Sequence, residues 1–208
     1  MRVMWTLAVG CIAALAISAC QKSAGDSAVP DDMAMGNPNA KVTMIEYASV
    51  ACPHCATFNN EIFPAFKAKY IDTGKVRYIA REALTGEPPG LAVAGFLTAR
   101  CAGKDKYFKV TEAIYRGQAD MQAPGGQPRD GLLNIARSVG LSEAQFDACI
   151  NDQKQIDALT ARWQRYIDID HINSTPTFVI NGKSLPPGEA TLATLDAAIV
   201  EAAGGKAP

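Results

Sequence analysis

Cys52, Pro53, His54 and Cys55 place two thiols two residues apart, a spacing at which a pair of sulfurs can cycle between a disulfide and a dithiol. The residues before the pair, Lys41 to Tyr47, are largely apolar and β-branched, and those after it repeat Phe58, Ile62, Phe63, Phe66 and Tyr70 at helical intervals. A strand therefore delivers the dithiol to the start of a helix. Pro53 suits the first helical position, where its missing N–H would have no partner and its φ is already helical. Cys52 then lies at the positive end of the helix dipole, where unpaired N–H groups favour a thiolate, and Cys55 lies a turn further in, shielded. The same cysteines would serve a structural disulfide or half of a zinc site. Structural zinc asks for about four Cys or His ligands. This chain has two histidines, His54 in the motif and a lone His171 far along, and no second Cys-x-x-Cys. Redox chemistry is the stronger reading, and no metal or other cofactor is expected.

At 208 residues and 48% hydrophobic, the chain can bury one core and a small subdomain. Its net charge of −1, with Lys and Arg scattered, offers nucleic acid no basic patch. Residues 1–19 read as an export signal: Arg2 supplies the positive end, Leu7 to Ile17 a short apolar run, and Ser18-Ala19-Cys20 the close. Ile17-Ser18-Ala19-Cys20 resembles the bacterial lipoprotein box, in which the cysteine is lipidated and becomes the first residue; an ordinary signal cut nearby is the alternative. Acyl chains on Cys20 would anchor the protein to a membrane surface at about 0.8 kcal/mol per buried CH₂. By the same resemblance, Gln21 leans toward the outer membrane over the inner. The expected compartment is the periplasm.

Cys11 leaves with the signal and Cys20 is committed to lipid, so Cys52, Cys55, Cys101 and Cys149 remain. An even remainder in an oxidising compartment suggests two pairs, which leaves Cys101 with Cys149. Closing that loop would restrict the unfolded chain by about 4 kcal/mol. Two buried free thiols are the alternative, since Cys149 shares an apolar helical stripe with Phe146 and Ile150.

Residues 20–36 are rich in Ser, Gly, Asp and Ala and read as a flexible tether. The strand from Lys41 to Tyr47 is apolar on both faces apart from Glu46, as in a central strand covered on each side. A carboxylate buried there would have a raised pKa and could pass protons to and from Cys55; alternatively the strand end lets it reach water. Pro64 should kink the helix that follows, and Lys75 to Ala80 make a second strand. The stretch after the Thr85 to Gly90 turn supplies helices over Leu91–Ala102, Tyr107–Arg116, Leu132–Val139, Glu143–Ile150 and Ile156–Ile167, with Met121 to Gly131 as a loop among them. Ser142 and Gln145 form a capping box, and Gly140 stops the helix before it. Thr175 to Ile180 is a strand opened by Pro176, Asn181-Gly182 is a hairpin turn, and a last helix runs from about Glu189 to Ala203. The organisation is thus an α/β domain in two parts, residues 37–84 and 171–208, interrupted by a helical insertion at 85–170.

With the Cys-Pro-His-Cys tetrad, Glu46 six residues before Cys52, the helical insertion and the Thr175-Pro176 strand with its hairpin, residues 41 to about 203 resemble the DsbA family of periplasmic thiol-disulfide oxidases. The resemblance implies a thioredoxin fold with an inserted helical subdomain. It also implies Cys52 as the attacking sulfur, Cys55 as its buried partner, and Pro176 as a cis proline beside them, with Thr175 offering backbone hydrogen bonds to an extended peptide. An extra disulfide at Cys101 and Cys149 looks like one carried by a subset of the family. Thr175 departs from the best-known oxidases and looks more like the choice of disulfide isomerases.

The expected activity is oxidation of dithiols in unfolded exported proteins, with a membrane redox partner restoring the motif, and with Pro53 and His54 tuning Cys52. The rivals are an isomerase or reductase of the same fold, and an anchored scaffold lipoprotein whose Cys52 to Cys55 bond is only structural.

Overall fold

The computed structural model describes residue 29, residues 31–188 and residues 190–205; the export signal at 1–19 and the lipidation site Cys20 lie outside the described residues. A five-stranded sheet has the order β1-β3-β2-β4-β5, where β1 is Met33–Met35, β2 Val42–Ala48, β3 Val76–Glu82, β4 Thr177–Ile180 and β5 Lys183–Ser184. The central strand β2 runs parallel to β3 and antiparallel to β4, and both edge strands are antiparallel to their neighbours. Val42 and Met44 face one core with Phe58, Phe66 and Leu195, while Ile45 and Tyr47 face another with Tyr166 and Ile172. Covering on both sides is why β2 shows no polar alternation.

Helix α1 fills residues 53–71, with α-helical turns at Pro53–Thr57 and Phe63–Phe66 and wider π-type turns at Phe58–Ile62 and Lys67–Ile71. Pro64 has no N–H to donate, and its ring crowds the carbonyl four residues back; a widened turn immediately before it relieves that conflict. Between β3 and β4 stand α2 (Pro89–Cys101), α3 (Lys104–Gln122), α4 (Pro128–Ser138), α5 (Glu143–Ile150) and α6 (Gln153–Asp168), and α7 (Leu192–Ala202) closes the chain. This is the thioredoxin fold with a helical insertion. The Ser142 and Gln145 capping box is present on α5. Asn181 and Gly182 both have positive φ, 44° and 81°, as a tight two-residue hairpin requires. Cys101 and Cys149 are joined, tying the end of α2 to α5 across 48 residues. Among the described residues no helix is long and apolar enough to cross a membrane.

Three expectations are corrected. The tether does not extend to residue 36: Met33–Met35 pairs with Tyr78 to Ala80 of β3, and Met33 is buried. Helix α3 continues past Arg116 to Gln122, because Gln118 and Met121 face inward, and Pro128 opens α4 instead of lying in a loop. The second strand continues past Ala80 through Arg81 and Glu82, both 1% exposed. Their charges are matched within the fold. Arg81 contacts Asp32 and Asp170, each at 3.2 Å, and donates to the Tyr47 hydroxyl at 2.6 Å. Glu82 takes Arg100 at 2.7 Å, Arg162 at 3.1 Å and the Tyr107 hydroxyl at 3.1 Å.

Removing one member of such a set leaves its partners buried and uncompensated, at a cost of about 3–5 kcal/mol. Arg81→Ala should therefore lower the unfolding free energy by about that amount in urea titrations; a change under about 1 kcal/mol would show that Asp32 and Asp170 reach water without it.

Candidate active site

Strand β2 ends at Ala48, and Ser49, Val50 and Ala51 carry the chain to Cys52, which caps α1 with extended backbone (φ −92°, ψ 121°) and Pro53 at the first helical position. The Ala56 N–H donates to the Cys52 carbonyl at 3.1 Å, beginning the helical ladder. Both sulfurs are free thiols. Their surroundings differ: Cys52 is 7% exposed and Cys55 fully buried.

That difference polarises the pair. The Cys52 thiol is brought down to about 5, first by a hydrogen bond from the Cys55 thiol, against the effect of burial, and further by the Thr175 side chain and the N–H groups of Cys55 and His54. Cys55 is pushed well up by burial and by its role as donor to Cys52. At neutral pH the pair holds one thiolate and one thiol. The Cys52 sulfur forms no cap hydrogen bond of good geometry to the first turn; the N–H groups act on it mainly through their partial positive charge. His54 contributes through this backbone group, and its side chain is exposed at the rim of a groove.

Glu46 is 1% exposed, so the strand end does not give it to water. The Tyr78 hydroxyl donates to one of its oxygens at 2.5 Å, and among the described residues the other has no hydrogen-bond partner. Burial pushes its carboxyl up to about 7, against the Tyr78 hydrogen bond and with a smaller push from the Cys52 charge. A carboxyl at that level takes and gives protons near neutrality, and its charge is felt at Cys55.

The loop before β4 closes the other side. The Thr175-Pro176 bond is cis, and the Cys52 thiol donates to the Thr175 carbonyl at 3.4 Å. A groove of about 360 Å³ beside it is lined by His54, Phe58, Ile62, Pro176, Pro186 and Pro187, among others. The structure thus brings Cys52, Pro53, His54, Cys55, Glu46, Thr175 and Pro176 into one place. Cys101 and Cys149 stand apart from it as the insertion's own disulfide.

Sequence reading missed the residues that grip the dithiol loop from the insertion. Gln118 on α3 donates to the carbonyls of Val50 at 2.7 Å and Cys52 at 3.2 Å, and Gln122 to those of Ala51 at 2.8 Å and Glu87 at 2.6 Å. Their spacing of one helical turn is a signal, but only once the helix is known to extend beyond Arg116.

A family model described as Thioredoxin matches residues 28–201. A putative protein-disulfide oxidoreductase of Rickettsia bellii is 32% identical over 152 residues, 73% of this chain and 58% of that one. The counterpart from Rickettsia typhi is 34% identical, with 55% of its length covered, so the chain spans a little over half the length of these relatives. Among solved structures, Wolbachia pipientis alpha-DsbA1 superposes with a TM-score of 0.76 at 28% identity, over 85% of this chain and 93% of that one. BdbD from Bacillus subtilis, at 21% identity and a TM-score of 0.70 over 84% and 94%, shares the fold.

An acid whose folded pKa is raised stabilises the fold only below its unfolded value and loses that contribution as pH rises through the folded value. For Glu46 the window runs from 4.5 to about 7. Glu46→Gln should therefore gain up to about 3 kcal/mol over the natural chain at pH 8 and nearly nothing at pH 4, measured by urea unfolding. A pH-independent difference would place the ionisation elsewhere.

Proposed function

The chain belongs to the thioredoxin family and is DsbA-like within it, and from that premise we propose that it oxidises dithiols of exported proteins through the Cys52–Cys55 disulfide. The observation that carries the reading is the polarised pair of thiols, Cys52 at about 5 beside a Cys55 held well above the ordinary thiol range. A stable thiolate favours the reduced pair, so the disulfide gives up its oxidising equivalents readily.

In the first step a substrate thiolate attacks the Cys52 sulfur, a mixed disulfide forms, and the Cys52–Cys55 bond breaks. Cys55 leaves with the electron pair and takes a proton. Glu46 is the donor the site supports, being buried, coupled to Cys55 and titrating near 7. In the second step another substrate thiolate attacks the substrate sulfur of the mixed disulfide and Cys52 leaves as the stabilised thiolate. The substrate has lost two electrons and gained a disulfide. One thiol proton stays on Cys55 and the other goes to solvent. Cys52 is the attacked sulfur because Cys55 is wholly buried.

Thr175 and Pro176 sit where an extended substrate would lie, with Pro176 unable to donate and so preventing regular strand pairing beyond that point. The apolar groove beside His54 fits the side chains of an unfolded protein. The reading places the protein in the periplasm, exported by residues 1–19 and held by lipid on Cys20, with a membrane redox partner that takes the two electrons and restores the disulfide.

Two measurements test it. Equilibration with glutathione should give a potential more positive than about −200 mV, and a value near about −270 mV would overturn oxidation in favour of reduction or isomerisation. Cys55→Ala should accumulate mixed disulfides on Cys52 with unfolded reduced proteins, whereas their absence would favour a structural bond.

A further inference from the structure

The loop that carries Thr175 and Pro176 is fastened at both ends to one residue of the central strand. Tyr47 lies opposite Thr177 where β4 begins, and its hydroxyl donates to the Asp170 carboxylate at 2.8 Å, at the loop's other end. The Asp170 side chain is 2% exposed. Arg81 donates to the same Asp170 oxygen at 3.2 Å and to the Tyr47 hydroxyl at 2.6 Å, so the three groups close a ring of hydrogen bonds. Next along the loop, Ile172 is buried with Ile45, Tyr47 and Val179, and its N–H donates to the Tyr166 carbonyl at 3.0 Å. Between these two anchors His171 takes φ 56°, a left-handed backbone that a residue with a Cβ keeps only where its neighbours are held. Asn173 is exposed, and the Thr177 hydroxyl donates to the Ser174 carbonyl at 2.7 Å.

We propose that Asp170 is a positioning residue for polypeptide substrates: its carboxylate fixes the path of the loop that offers the Thr175 backbone to an extended chain. This rests on the reading in which Thr175 and Pro176 receive the substrate. An extended polypeptide is held there through main-chain hydrogen bonds, and a loop fixed before the substrate arrives spares the complex the entropy of ordering it. Asp170 is bonded to Tyr47 and Arg81 and not to the thiols, so its loss should weaken the hold on a long substrate and leave the chemistry of the pair in place. Asp32 supplies the comparison. It takes the same guanidinium at 3.2 Å, from Nε and from Nη2, but lies in the segment before β1. Both carboxylates neutralise Arg81, and Asp170 is the one that belongs to the substrate loop.

The test uses the full chain with Asp170→Ala and, as the matched control, Asp32→Ala, which also deprives Arg81 of a carboxylate but leaves the loop's hold on Tyr47 intact. KM and kcat are measured for oxidation of a reduced peptide with two cysteines, at saturating oxidised glutathione, beside the rate of reaction with dithiothreitol, which is too small to lie along the loop. Asp170→Ala should raise the KM for the peptide by about tenfold while kcat and the dithiothreitol rate stay within about twofold. Asp170→Asn, which keeps an acceptor for the Tyr47 hydroxyl, should recover part of the loss. Asp32→Ala should unfold at lower urea, as Asp170→Ala does, with KM unchanged. An unchanged KM in folded Asp170→Ala, an equal rise in Asp32→Ala, or an equal loss of rate with dithiothreitol would each overturn the proposal. Should Asp170→Ala not fold, Tyr47→Phe removes only the hydroxyl and should raise KM in the same direction by a smaller factor; an unchanged KM there overturns the proposal equally. A reducing potential of the natural chain would sink the oxidase reading instead, and the KM for the oxidised peptide would then decide what Asp170 does.

Discussion

Unequal solvation of two thiols one helical turn apart is the constraint on which the rest depends. A dithiol in water has no preferred direction of electron flow beyond that of its ordinary pKa values. Here the helix start leaves Cys52 slightly exposed among unpaired N–H groups, while Cys55, three residues on, is wholly buried. Burial pushes both thiols up, but only at Cys52 do hydrogen bonds outweigh it. It keeps Cys55 a thiol, and that thiol becomes the foremost donor to the Cys52 sulfur. The ionisation of one sulfur is thus the product of the other's inability to ionise.

The inserted helices matter to this chemistry although they carry no reacting atom. Their core is continuous with the dithiol turn: Val50, Ala51, Cys52 and Cys55 pack in one cluster with Leu91, Phe96, Ile114, Leu132 and Phe146. Gln118 donates to two carbonyls of the turn, and that of Val50 would otherwise be a buried acceptor without a donor, which is costly. The turn's conformation, and so the aim of its N–H groups at Cys52, is held from both the sheet and the insertion.

Much of this was legible in the sequence because it depends on local rules. The dithiol spacing, Pro53 at a helix start, the apolar run of β2, the capping box on α5 and the Asn181-Gly182 turn are each specified by neighbours. The features missed depend on partners far along the chain. Met33–Met35 is too short to show alternation and is a strand only because β3 offers it an edge. Arg81 and Glu82 looked like the end of a strand because their countercharges come from residues 32, 100, 162 and 170. Thr85 and Tyr78 are ordinary residues in sequence, and only the fold sets one against Thr175 and the other against Glu46.

Two buried carboxylates in adjacent strands show what the fold reserves for chemistry. Glu82 receives two arginines and a tyrosine, which is how a buried anion is ordinarily kept. Glu46, on the strand that leads to the dithiol, receives among the described residues one tyrosine hydroxyl and no cation, and one of its oxygens has no hydrogen-bond partner there. An arginine in reach would hold Glu46 ionised at all working pH values and end its use as a proton donor. A fully apolar residue would pack at least as well and carry no proton. The half-satisfied carboxyl is therefore the costly choice for stability and the useful one for chemistry: it can titrate near neutrality within electrostatic reach of the sulfur that must gain and lose a proton in each cycle.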